Sequence, residues 1–201
     1  MFCSVDDVAA LLMLEISDPD EVQACTRAID EATAAIQNYC HQELEYAAND
    51  VLTLDCPGGS KIFLPELPVI SVSTVVENEV TLTVTTDYKL GQFGILYRVG
   101  RSWAAGVQNV VVTYTHGYAD IPDDILGVCT RAASRIYQAG LRAKEQNGIV
   151  GVANMALGDY QVGYASEAGG GIGEGVMGVS AARMLLLSEK DILNRYRHIG
   201  Q

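Results

Sequence analysis

The stretch Val110-Val-Val-Thr-Tyr-Thr-His-Gly-Tyr118, followed at once by Ile121-Pro-Asp-Asp-Ile125, decides how this chain is read. A run of β-branched and aromatic residues describes a strand, and Gly117 permits a sharp turn at its end. Tyr118 supplies an aromatic to pack the corner, and Pro122 with the two acids behind it opens a helix. Gly117, Tyr118 and Pro122 are therefore the candidate structural turn. The helix carries Ile125, Val128, Cys129, Ala132, Ile136, Tyr137 and Leu141 on one stripe, which predicts a helix over 122–144.

Working upstream, residues 50–117 are rich in Val, Thr, Ile and Tyr with period-two alternation. The expected strands are 51–55, 61–64, 70–76, 80–84, 88–90, 95–98 and 108–115. Glu77-Asn-Glu-Val80 and Gly91-Gln-Phe-Gly94 sit where tight connections are needed, so the region reads as a run of hairpins. Before it, Asp18-Pro19 starts a helix whose Val22, Cys25, Ala28, Ile29, Ala32, Ile36 and Tyr39 recur at spacings of three and four, giving 19–40. Ser4 with Asp6 and Asp7 caps an earlier short helix, expected over 4–16.

Working downstream, the segment after Gln146 is glycine-rich and cannot supply a core of its own, because glycine costs backbone entropy and buries no side chain. It is a flexible linker or an arm ordered by a partner. Ser188-Glu-Lys-Asp191 has capping-box spacing ahead of a short helix ending at Arg197. The fold class is α+β: a helical core of three main helices, a β-rich insertion between the second and third, and an extended C-terminal arm ending in a short helix. The expected division is a core over 1–146 and an arm over 147–201.

With 201 residues, 49% of them hydrophobic, the chain can bury a core without metals or disulfides. Its five cysteines (Cys3, Cys25, Cys40, Cys56, Cys129) are an odd number without a CxxC pair, which fits free thiols in a reducing compartment. No signal peptide or membrane span is expected. Twelve acids against the single base Arg27 fall in residues 1–60, while residues 61–201 are nearly balanced. Such an acidic third argues against a nucleic-acid reader that gains affinity by neutralising phosphates.

No motif carries chemistry. Gly173-Glu-Gly-Val-Met-Gly178 matches G-x-G-x-x-G but lacks the strand before it and the βαβ unit after it, so no cofactor is expected. His41, His116 and His198 show no metal-ligand spacing, so no metal is expected. Adjacent helical residues point about 100° apart, so Cys40 and His41 do not make a nucleophile and base pair. No catalytic residue is assigned and the chain reads as no enzyme, with a cytosolic thiol enzyme using Cys129 or Cys40 as a distant alternative.

The string VVVTYTHGYADIPDDILGVC (110–129) with the upstream run Leu64 to Val76 resembles the head-to-tail adaptor, or head-tail connector, family of long-tailed bacteriophages. Ala156-Leu-Gly-Asp-Tyr-Gln-Val-Gly-Tyr-Ala165 and Ile192-Leu-Asn-Arg-Tyr-Arg197 are similar to that family's C-terminal arm; the long glycine-rich insert between Ala165 and Ser180 departs from it. The resemblance implies a structural virion protein of the neck at the head-tail interface, assembled in the host cytoplasm. It implies a homo-oligomeric ring, commonly a dodecamer, bound below the portal protein and offering its far face to a stopper or tail-completion protein. DNA would pass through the channel without sequence-specific binding, and no membrane is involved. The portal-contact candidates are then Leu157, Asp159, Tyr160, Val162 and Tyr164, with Arg195, Tyr196 and Arg197. Alternation puts Tyr160, Val162 and Tyr164 on one face of a strand that could be added to the portal or pack on its own domain. Asp30 and Glu31 are the channel-lining candidates, since an acidic wall lets DNA slide. The alternative is a stopper or tail-completion neck protein.

Overall fold

The computed structural model describes residues 1–145, 154–157, 160–163 and 185–197. The α+β architecture is borne out. Helix α1 (Val5–Leu12) begins at a reciprocal cap: Ser4 Oγ accepts from the Asp7 amide at 3.2 Å and Asp7 Oδ2 accepts from the Ser4 amide at 2.7 Å. The Ser4 hydroxyl also donates to Asp7 Oδ2 at 2.7 Å, and this bond, then the one from the Ser4 amide, holds the Asp7 carboxyl below its ordinary range. The helix stops at Leu12 rather than at residue 16, because Met13 turns left-handed (φ 54°) and closes the end by donating to Ala10 O. Helix α2 (Pro19–Cys40) starts on an Asp18 cap and ends at a left-handed His41. Helix α3 (Asp123–Glu145) follows the turn. Their apolar stripes, with Ile29, Ala32 and Ile36 facing Ile125, Val128 and Ala132, form one core.

The insertion folds around a second core. A four-stranded antiparallel sheet in the order β1 (Ala47–Cys56), β7 (Gly106–His116), β3 (Val69–Glu77), β4 (Val80–Thr81) packs with a three-stranded sheet, β2 (Lys61–Phe63), β6 (Ile95–Arg98), β5 (Tyr88–Leu90). Trp103, Tyr114, Leu64 and Leu96 fill the space between them. The expected run of hairpins is corrected here. Only β3–β4 and β5–β6 join neighbours in sequence, while central β7 pairs with β1 and β3. The alternating faces of β7 are what both partners need: Val110, Val112 and Tyr114 are buried and must be flanked on each side. The Glu77 carboxylate reaches Arg98 at 3.0 Å beneath the ring of Trp103, so this core contains an ion pair.

Strands β8 (Asn154–Leu157) and β9 (Tyr160–Gly163) form a separate hairpin with Leu157 opposite Tyr160. Helix α4 (Leu187–Leu193) begins one residue before the expected Ser188, and Glu189, rather than a serine cap, accepts the Leu186 amide. It runs into a 3-10 turn over Asn194–Tyr196 and lies on the helical core, with Leu185 and Leu193 buried there. Among the described residues no helix is long and apolar enough to cross a membrane.

Candidate functional site

The strand-turn-helix corner is the joint of the molecule. Gly117 takes φ 83° and lies so close to Glu45 that a side chain would collide with that residue's carbonyl, which leaves glycine as the residue that fits. Its amide donates to Pro68 O at 3.0 Å, and the Tyr118 amide donates to Leu44 O at 2.9 Å. The end of α2, the start of β3 and the start of α3 are thereby held at one point. Pro122 sits just before α3, where its carbonyl accepts from the Leu126 amide.

The terminal helix closes on the same point. Tyr196 stacks edge-on against Tyr118 with ring centroids 6.0 Å apart, and its hydroxyl donates to the Asp124 carboxylate at 2.7 Å. Burial, and then this bond, push the Tyr196 phenol up to about 12. Gln42 Nε2 donates to Tyr196 O at 2.5 Å, while Gln42 Oε1 accepts from the Leu67 amide at 2.9 Å. One side chain thus ties the terminal turn to the sheet. Two turns earlier, buried Glu189 receives both Arg135 guanidinium nitrogens at 2.8 and 2.7 Å, the two-pronged geometry that makes Arg–carboxylate pairs strong. Tyr39 donates to Asn194 and lies beneath the cations of Lys190 and Arg197.

These contacts leave an open cleft of about 350 Å³ beside the joint. Leu67, Pro68 and Val69 form one wall, Phe93 a second, and Tyr118 with residues 195–197 a third. Phe93 holds a left-handed φ of 57° and is 79% exposed at the rim. Arg195 and Arg197 are exposed and meet no carboxylate among the described residues.

Of the residues singled out from sequence, Gly117, Tyr118 and Pro122 lie at the strand-to-helix corner. Tyr196 joins them, half-buried in the chain's own joint, while Arg195 and Arg197 face solvent at the cleft. Asp30 and Glu31 are exposed on α2, on the face opposite Ile29 and Ala32. Leu157 lies in β8, and Tyr160 and Val162 lie in β9 two positions apart. Asp159 and Tyr164 are outside the described residues, as are His198 and the Gly173–Gly178 motif. Gln42, Asp124, Glu189 and Phe93 are participants that sequence reasoning passed over. Asp124 was visible only as an acid at a helix start, and Gln42 carried no signal.

Cys40 and Cys129, the two thiols a nucleophile reading would use, are shifted away from it. Burial pushes the Cys40 thiol up to about 11. Cys129 is also pushed well up, by its bond with Cys3 Sγ at 3.3 Å and then by burial. An activated cysteine needs the opposite shift. Among the described residues no group of three His, Cys, Asp or Glu side chains is placed to hold a metal ion.

Two cores are thus braced at a single joint, with an open cleft beside it. The chain belongs to the head completion protein family, whose model matches residues 1–130. The sequence resemblance to head-tail connector proteins is thus borne out, and with it a structural role at the head-tail neck of phage-like virions. Among solved structures, a chain in the neck of an empty gene transfer agent particle, computed with C6 symmetry, is 18% identical with a TM-score of 0.55, over 98% of this chain and 90% of that one. Another, in the virion of a native gene transfer agent particle, is 15% identical with a TM-score of 0.51, over 92% of this chain and 81% of that one. At those identities what is shared is the fold. No curated protein matches the chain.

Proposed function

We propose that this protein is the head-to-tail adaptor of its particle, assembling as a ring below the portal protein and continuing the DNA channel. The observation that carries the reading is the head completion family match over residues 1–130, which takes in α1, α2, both sheets of the insertion, the Gly117 corner and the start of α3. The similar fold in a particle neck computed with six-fold symmetry supports a ring. In that ring Asp30 and Glu31, exposed on α2, are the proposed channel-lining residues, because like charge keeps passing phosphates from sticking. The β8–β9 hairpin is the proposed portal contact. Its antiparallel pair has two outer edges that can each accept or donate a strand's worth of backbone bonds, and Tyr160 and Val162 share one face of β9. Leu157, opposite Tyr160, belongs to the same contact, and Asp159 and Tyr164 adjoin it.

The test is co-sedimentation of the full chain with purified portal rings. Wild type should travel with the portal, and Tyr160→Asp with Val162→Asp should weaken binding by at least about tenfold, as a strand contact with a spoiled pocket does. A chain that ignores bare portal rings but joins portal rings already carrying another neck protein would replace the adaptor reading with the stopper or tail-completion reading.

A further inference from the structure

Two surfaces at opposite ends of the helix pair are complementary and cannot meet within one chain. The first is a knob between α1 and α2. Leu11 and Leu14 are 50% and 48% exposed, and Met13, lifted by its left-handed backbone, is 93% exposed. Glu15 and Asp20 stand exposed beside them. The second is the cleft at the joint, with apolar walls from Leu67 and Phe93 and the exposed cations Arg195 and Arg197 at its rim. The knob reaches into the first turn of α2 and the cleft begins at Gln42, just past its last residue. At about 1.5 Å per residue, the 22 residues of α2 hold the two surfaces roughly 33 Å apart.

From this geometry we infer that the knob of one copy seats in the cleft of the next, with Met13 and Leu14 against Phe93 and Leu67 and with Glu15 and Asp20 facing Arg195 and Arg197. The inference deepens the ring reading above and rests on it. Charge selects the occupant. The knob belongs to the strongly acidic third of the chain, and the cleft offers two arginines without a carboxylate partner among the described residues. An exposed apolar patch rimmed by charge is the usual mark of a protein contact. Because the two patches differ and lie at opposite ends of a rigid pair of helices, their union is a head-to-tail contact, which closes into a ring when its rotation divides the circle. Both patches lie wholly in described parts of the chain.

Charge exchange tests this. One variant reverses the cleft (Arg195→Glu, Arg197→Glu) and a second reverses the knob (Glu15→Arg, Asp20→Arg), leaving the Asp18 cap intact. Self-association of the full-length chain is measured by sedimentation equilibrium up to about millimolar protein, where even a contact with a Kd of about 1 mM registers. Each variant alone places like charges across the contact and should associate at least about tenfold more weakly than wild type. An equimolar mixture pairs every knob with a cleft of opposite charge, so association should return to within about threefold of wild type, which also shows that both variants are folded. Raising salt to about 1 M should weaken the wild-type contact and the mixed one alike. Variants that associate as wild type does, a mixture that fails to recover, or a wild type that remains monomeric throughout would each overturn the contact. The ring reading is judged separately: if wild type does not bind portal rings that reading fails, whereas a portal-bound ring formed equally well by every variant leaves it standing without this contact.

Discussion

Gly117→Ala should be among the most damaging single-methyl additions available to this chain, and the structure supplies its own controls. At φ 83° an alanine carries the left-handed penalty of about 1–2 kcal/mol. Its Cβ would also run into the Glu45 carbonyl and approach the Tyr46 amide, both backbone atoms that have no rotamer to escape into. Relief requires the 44–46 segment to move, which lengthens the Tyr118–Leu44 and Gly117–Pro68 bonds at about 1 kcal/mol each. The sum is about 3–4 kcal/mol, or a fall in Tm of roughly 10 °C at this chain length. Gly100 has φ 70° but nothing near its would-be Cβ, so Gly100→Ala isolates the conformational part at about 1 kcal/mol, some 3 °C. Gly140 lies in α3 with open space around it, so Gly140→Ala should stabilise by up to about 1 kcal/mol. Calorimetry of the three variants ranks them, and a Gly117→Ala midpoint no lower than that of Gly100→Ala would refute the claim that the corner is sterically closed.

Three further outcomes follow from contacts described above. Glu77→Ala strands the Arg98 guanidinium, whose side chain is 3% exposed, with Asp87 at 3.6 Å as its remaining carboxylate; about 3–5 kcal/mol should be lost, and Glu77→Gln should recover part of it by keeping the acceptor for the Ala104 amide, as urea unfolding will show. Tyr196→Phe removes the bond to Asp124 and should cost about 1–2 kcal/mol, with faster amide exchange confined to α4 and its turn; exchange that quickens equally in β7 would count against a local latch. Cys40, Tyr118, Tyr137 and Tyr196 all hold their protons more tightly folded than unfolded. Above about pH 9, where unfolded thiols and then phenols begin to ionise, the unfolded chain binds fewer protons, so stability present at neutral pH should fall between about pH 9 and 12, and an unfolding midpoint unchanged from pH 8 to 11 would contradict it.

Local chemistry was legible in the sequence wherever one segment carried the whole signal. The stripes of α2 and α3 repeat at helical spacing, and Gly117 with Tyr118 marks its corner without outside help. Which strands pair was not legible, because β7 chooses β1 and β3 by which faces must be covered, and several β-rich segments offered the same alternation. The resting place of α4 was equally hidden: Leu185, Glu189 and Leu193 look like any short amphipathic turn until Arg135, 54 residues from Glu189, is seen to meet it. The cleft gathers its walls from segments around residues 42, 67, 93, 118 and 196, and no window of sequence contains them together.

The return of α4 to the helical core changes what kind of appendage the β8–β9 hairpin is. A free tail transmits a pull along one line to one anchor and can be drawn out of a groove end first. Here the hairpin stands between α3 and α4, both fixed to the same core, so it is a handle with two roots. The chain that leaves α3 for the hairpin is therefore closed at both ends, and the Arg135–Glu189 clamp and the Tyr196 latch are what hold the second end shut.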